Sequence, residues 1–310
     1  MQSFLHGYMK ERLDESFKDR TCNEHDGAGG GVCDLSPKRR QVLNTRTTTL
    51  NKIFPHESSS TLNNVSVMSR TICVWLEAWI STLSKERGKQ GEVIFRGNCT
   101  YDKFIEGIER GNLSKECIFE KGKLAWIDHR SRSSLSMAQD YQRGLKSCME
   151  IVTLILVTAG LTSTAATKNY YNKRKSDLCQ DIYEKLAEWG GKNLAKRIMK
   201  DWFTQAQNNG SGGRIFQLSG RDVYEIITEG IFGVSSGDKS LRCDLQEETS
   251  NREADTVEKY STSLSEDTIV PSGEENFVFQ DKEIEKMNQV LDQVEEKVKV
   301  KQEALYLDEG

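Results

Sequence analysis

The stretch "SCMEIVTLILVTAGLTSTAATK", residues 147–168, is the most apolar part of a chain of 310 residues. From Ile151 to Thr167, 17 residues run without a charge, the lower edge of what crosses roughly 30 Å of hydrocarbon. The strongly apolar part is shorter, Ile151 to Leu161, and small or hydroxylated residues follow it. Seven Ile, Leu and Val side chains each favour insertion by about 0.3–0.6 kcal/mol, and the threonines and Gly160 offset part of that gain. Arg143 and Lys146 precede the segment, and Lys168, Lys173, Arg174 and Lys175 follow it. With basic residues at both ends, a span would only weakly favour a cytoplasmic C-terminus. A buried reading explains more: amphipathic helices lie on both sides, and a helix apolar all round supplies the partner they need. The segment is read as the centre of a helical domain, with a membrane span over Ile151–Thr167 as the alternative.

Working outward, "VSVMSRTICVWLEAWISTLSKERGK" places Met68, Ile72, Trp75, Leu76, Trp79, Ile80 and Leu83 at steps of three and four, and Gly88 closes the run. That is an amphipathic helix with two tryptophans on its inner face. "TYDKFIEGIERGNL" opens on Thr100 or Asp102 as a cap and puts Tyr101, Phe104, Ile105 and Ile108 on one side. "CIFEKGKLAWIDHRS" is a hairpin or an irregular crossing anchored by Ile118, Phe119, Leu124, Trp126 and Ile127. After the central stretch, Leu178, Ile182, Leu186 and Trp189 form one stripe, and Leu194, Ile198, Met199, Trp202 and Phe203 another. Two helices meeting at Gly190 and Gly191 fit, with a cap at Ser176 or Asp177. "GRDVYEIITEGIFG" is a further short helix with Val223, Ile226, Ile227 and Phe232 inward.

The ends differ from this body. Residues 1–20 admit a short helix, and the Gly-, Ser-, Thr- and Asn-rich run that follows reads as a flexible arm. Residues 235–280 have few large apolar side chains and cannot repay the entropy of ordering. At the end, Ile284, Met287, Leu291, Val294 and Val298 fall in heptad-like positions and offer one face to a partner helix. The formal charge of −4 conceals an acidic tail: residues 244–310 hold 19 acids and 7 bases, leaving 28 acids and 36 bases before it. The basic residues of the body are scattered along helices without a reading motif, so no nucleic-acid partner is expected.

Chemistry-bearing motifs are sparse in the sequence. "GAGGG" at 27–31 lacks a following Gly-Lys-Ser/Thr and reads as a linker, not a phosphate loop. Cys22, His25 and Cys33, with Asp26 or Asp34, could approach a zinc, but the spacing matches no common site. His129 follows Asp128, yet no nucleophile motif accompanies it. No catalytic residue, cofactor, metal or small-molecule substrate is expected, and the chain is read as a non-catalytic interaction protein. Asn64, Asn98, Asn112 and Asn209 each open an Asn-x-Ser/Thr acceptor, which matters only in a secreted chain.

Eight cysteines without a C-x-x-C pair permit a disulfide framework, while reduced core cysteine remains open. "CVWLEAWISTL", "GLKSCMEIVTLIL" and "DLCQDIYEKLAEW" together resemble the schizont-infected cell agglutination type of variant antigen of malaria parasites, over roughly residues 65–234. The chain departs from that pattern in lacking an R-x-L-x-E/Q/D export signal. The resemblance implies a helical, non-enzymatic antigen that engages host factors, associated with the host-cell or parasite membrane. It also implies that Cys73, Cys99, Cys117, Cys148 and Cys179 are framework residues. Outside that resemblance the chain reads as intracellular and soluble, with a single-pass membrane adaptor as the other function. The expected architecture is all-α: an N-terminal arm at 1–64, a Cys- and Trp-containing helical bundle at 65–234, an acidic disordered linker at 235–280 and an amphipathic helix at 281–307.

Overall fold

Two long helices and the tryptophans between their neighbours define the architecture. A computed structural model describes residues 3–19, 22, 31–36, 48–87, 93–129, 135–162, 178–203, 223, 226–227, 242–247 and 258–263. The fold is all-α. Its helices are α1 (Phe4–Asp19), α2 (Thr48–Ile53), α3 (Ser59–Ser81), α4 (Tyr101–Glu109), α5 (Asp140–Thr158), α6 (Leu178–Gly190) and α7 (Lys192–Phe203). Two small antiparallel hairpins join them: β1 (Ser84–Arg87) with β2 (Val93–Arg96), and β3 (Arg242–Glu247) with β4 (Glu258–Ser263).

The apolar stretch forms the second half of α5, and every residue from Ser147 to Thr158 is buried. On α3, Ile72 to Ile80 are likewise buried without a break. The two helices lie against each other. Ser69 faces Thr153, their hydroxyls 2.8 Å apart, and Cys73 is bonded to Cys148. Because the partner number falls as the α3 number rises, the pair is antiparallel. Each hydroxyl also lies within reach of the carbonyl one turn back, Val65 and Met149 respectively, so a polar pair sits in the core without an orphaned group. Helices α1 and α6 cover α5, and α7 packs on α6 and α1. No described helix is long and apolar enough to cross a membrane; Ile151 to Leu161 are spent on this interior, and residues 163–167 lie outside those described.

Three tryptophans are satisfied as well as buried. The indole of Trp79 donates to Cys99 O at 2.9 Å, that of Trp126 to Tyr141 O at 2.8 Å, and that of Trp189 to Glu150 Oε2 at 2.7 Å. A large ring with a partnered N–H gives area burial without a desolvation cost.

The structure meets some of these expectations and departs from others. The N-terminal segment is not simply an arm: Leu5, Tyr8, Met9 and Leu13 of α1 belong to the core, as do Val32, Leu35, Leu50 and Ile53. Helix α3 starts at Ser59, capped by Ser58 Oγ, which accepts from Thr61 N at 3.1 Å. It also stops before Gly88, because the Thr82 amide and hydroxyl both donate to Trp79 O and the chain enters β1. Residues 110–129 form an irregular crossing of short 3-10 turns; Trp126 and Ile127 anchor it, but Ile118 is 48% exposed. The acidic linker contains the β3–β4 hairpin, packed on α6 with Tyr260 against Tyr183. Helices α6 and α7 meet at Gly190 and Gly191, where Gly191 has φ 90°. Val223, Ile226 and Ile227 are buried; Phe232, Ser176 and Asp177 lie outside the described residues.

Candidate functional site

Eight cysteines spread across the chain end up in four bonds: Cys22–Cys33, Cys73–Cys148, Cys99–Cys117 and Cys179–Cys243. None is left free. Three of the bonds hold short or irregular segments to the helices, and the fourth locks the register of the closely packed central pair. Cys73–Cys148 ties the two central helices across 75 residues of sequence, which in a chain-entropy account removes about 4 kcal/mol of unfolded-state freedom. Cys99–Cys117 closes a loop around α4 and pins the irregular crossing. Cys179–Cys243 fastens the β3–β4 hairpin to α6, assisted by Tyr260 N donating to Gln180 Oε1 at 2.9 Å. Cys22–Cys33 holds the turn Gly31–Leu35 behind α1. That turn starts under Trp189: a Cβ on Gly31, whose φ is 77°, would overlap the Trp189 carbonyl oxygen.

Of the residues that the resemblance marks as framework, Cys73 meets Cys148 and Cys99 meets Cys117, while Cys179 reaches outside the set to Cys243. Cys22 and Cys33, weighed in the sequence as zinc ligands, are bonded to each other instead. A disulfide sulfur has no thiolate to offer a metal, and no group of three or more His, Cys, Asp and Glu among the described residues could hold one. Ile284, Met287, Leu291, Val294 and Val298 lie outside the described residues.

The buried polar groups converge on α1. Glu77, 1% exposed in the middle of the α3 apolar stripe, accepts from Ser3 Oγ, from Ala125 N at 3.0 Å and from Trp126 N at 2.8 Å. It joins the start of α1 to the crossing before α5. Burial raises its pKa, and the three donors pull the other way. On the next turn of α1, Tyr8 donates to Asp201 Oδ2 of α7 at 2.8 Å. Burial raises the Asp201 pKa against that bond and against Arg12, and burial with Asp201 raises Tyr8. Further along, Ser16 Oγ donates to Gly190 O at 2.6 Å. Between these locks His6 is buried, its ring edge-on to Trp126. Gly144 of α5 leaves it room, since a Cβ there would come to 3.0 Å of His6 Cδ2. Burial, then Lys10, lowers its pKa.

These groups do not assemble as acid, base and nucleophile. Each carboxylate is taken up by donors that the fold itself supplies, which fastens one element to another. The sequence held one signal for this: Glu77 is the lone charge in "CVWLEAWI", where an acid on an all-apolar stretch requires donors from elsewhere. Nothing local announced Asp201, whose partner lies 193 residues away. No protein family, no curated protein and no solved structure matches the chain.

Proposed function

We propose that the chain is a non-catalytic, disulfide-framed interaction protein working in an oxidising compartment. The observation that carries this is the pairing of all eight cysteines. Such frameworks form and persist outside the reducing cytosol, and one that leaves no thiol over serves as scaffolding. The use of Glu77, Asp201 and Glu150 as structural acceptors supports a role in presenting a surface. The resemblance to schizont-infected cell agglutination antigens fits this reading and supplies the partner class: host factors met by an antigen of the infected cell.

Thiol blocking under denaturing, non-reducing conditions in the cells that make the protein tests the compartment. The reading expects no free thiol, and a reduced protein would remove its basis. The intact chain, compared with its reduced and alkylated form, then tests binding to host cells; equal binding by both forms would contradict a role for the framed surface.

A further inference from the structure

We propose that Asn112 is a site of N-linked glycosylation. The proposal rests on the oxidising compartment argued above. Four Asn-x-Ser/Thr acceptors occur in the sequence; Asn64, Asn98 and Asn112 are exposed, and Asn209 lies outside the described residues. An acceptor must be open in the unfinished chain and must tolerate a bulky, solvated substituent once folded. Exposure satisfies the second demand for all three. The first separates them.

Asn64 sits in the second turn of α3, so its acceptor is withdrawn into helix as soon as α3 forms. In Asn98-Cys99-Thr100 the middle residue is bonded to Cys117. Its Thr100 hydroxyl caps α4, accepting from Lys103 N at 3.3 Å. Closing that bond ties down the middle residue of the acceptor, and the cap occupies the hydroxyl that a transferase must reach. In Asn112-Leu113-Ser114 the middle residue carries no disulfide, and the Ser114 hydroxyl engages the exposed Glu116 carboxylate instead of a backbone N–H. Helix α4 ends with Arg110 as cap and Gly111 at φ 64°. Asn112 N donates to Gly107 O at 2.8 Å and Gly111 N to Ile108 O at 3.0 Å. This is the paired-bond helix stop in which the residue after the glycine leaves the helix. Asn112 is thus fixed at a corner pointing into solvent, and Ser114 is exposed and makes no side-chain cap bond to the backbone of the next turn.

The transfer balances without any redox partner. The Asn112 Nδ2 displaces pyrophosphate from C1 of a lipid-pyrophosphate-linked saccharide. The new bond is N–C1, the broken one is C1–O, the lipid pyrophosphate leaves, and one amide proton passes to solvent.

The full chain, sent through a eukaryotic secretory pathway, is to be analysed by peptide mapping before and after an N-glycan amidase. Thiols are blocked in the same sample. The proposal expects glycan on the peptide holding Asn112, lost in both Asn112→Gln and Ser114→Ala, with little on Asn98. A double Cys99→Ser, Cys117→Ser variant keeps an Asn-Ser-Thr acceptor at 98–100 and is expected to gain glycan there. Paired cysteines with an unmodified Asn112 overturn the proposal and leave the functional reading intact. Free thiols overturn that reading, whatever Asn112 carries. Occupancy at Asn98 equal to that at Asn112, unchanged by the double substitution, overturns the argument from the disulfide.

Discussion

Cys73 of α3 and Cys148 of α5 lie with their Cα atoms 6.0 Å apart and are bonded, one step along the helix seam from the Ser69–Thr153 hydroxyl pair. The bond clamps the two longest helices of the described fold at the register that their polar residues already specify. Packing and disulfide therefore agree on one arrangement, which is how a unique fold is specified.

Removing that clamp has a predictable size. A Cys73→Ala, Cys148→Ala double variant is expected to lose about 4 kcal/mol, the chain-entropy value for a closed loop of this length. Denaturant unfolding of the two proteins measures it. A loss well under 1 kcal/mol would mean the bond is incidental to the fold.

Glu77 gives a second test. Its carboxylate is the acceptor for Ala125 N and Trp126 N, and a buried amide left without an acceptor costs about 1–3 kcal/mol. Glu77→Ala is expected to cost about 3 kcal/mol or more, and Glu77→Gln, which keeps one carbonyl oxygen, distinctly less. Equal stability of both variants with the parent would show that the cluster contributes nothing.

The response to pH follows from the same helix. His6 has a lowered pKa in the fold and about 6.5 when unfolded. The folded protein thus holds fewer protons there, and its stability from this group is present above about 6.5 and lost as pH falls through the folded value. Glu77 and Asp201 have raised values, so their contributions run the opposite way, greatest at low pH and lost as pH rises through their folded values. Because these contributions oppose one another, the difference between parent and variant isolates His6: the parent is expected to lose stability relative to His6→Leu as pH falls from neutral toward 5. An identical slope in the variant would exclude His6 as the source of that loss.

Gly31 offers a steric test. At φ 77° and against the Trp189 carbonyl, an added methyl meets both backbone strain and overlap, together about 3 kcal/mol. Gly31→Ala is expected to weaken the fold by that amount and to slow closure of Cys22–Cys33, read as free thiol during oxidative refolding. Unchanged refolding would show that the turn adjusts without strain.

Helical periodicity made the body legible. The stripes around Trp75 and Trp79, and those on either side of Gly190 and Gly191, needed only local spacing. Legibility ended where the stabilising partner lies far away. Helix α1 looks polar in sequence because Tyr8, Arg12 and Ser16 are sunk in the fold, two of them bonded to groups over 170 residues distant. The β3–β4 hairpin sits in an acidic stretch with little apolar content, and one disulfide with one tyrosine pair supplies the anchoring that its composition lacks. Cysteine spacing alone permitted both a framework and a set of free thiols, since pairing depends on the three-dimensional path.

The most direct test is a disulfide map of the protein isolated from its own cells with thiols blocked at lysis, by non-reducing proteolysis and mass spectrometry. The account predicts four linked peptide pairs, Cys22–Cys33, Cys73–Cys148, Cys99–Cys117 and Cys179–Cys243, and no blocked thiol. Eight blocked thiols, or Cys73 linked to any partner other than Cys148, would contradict it.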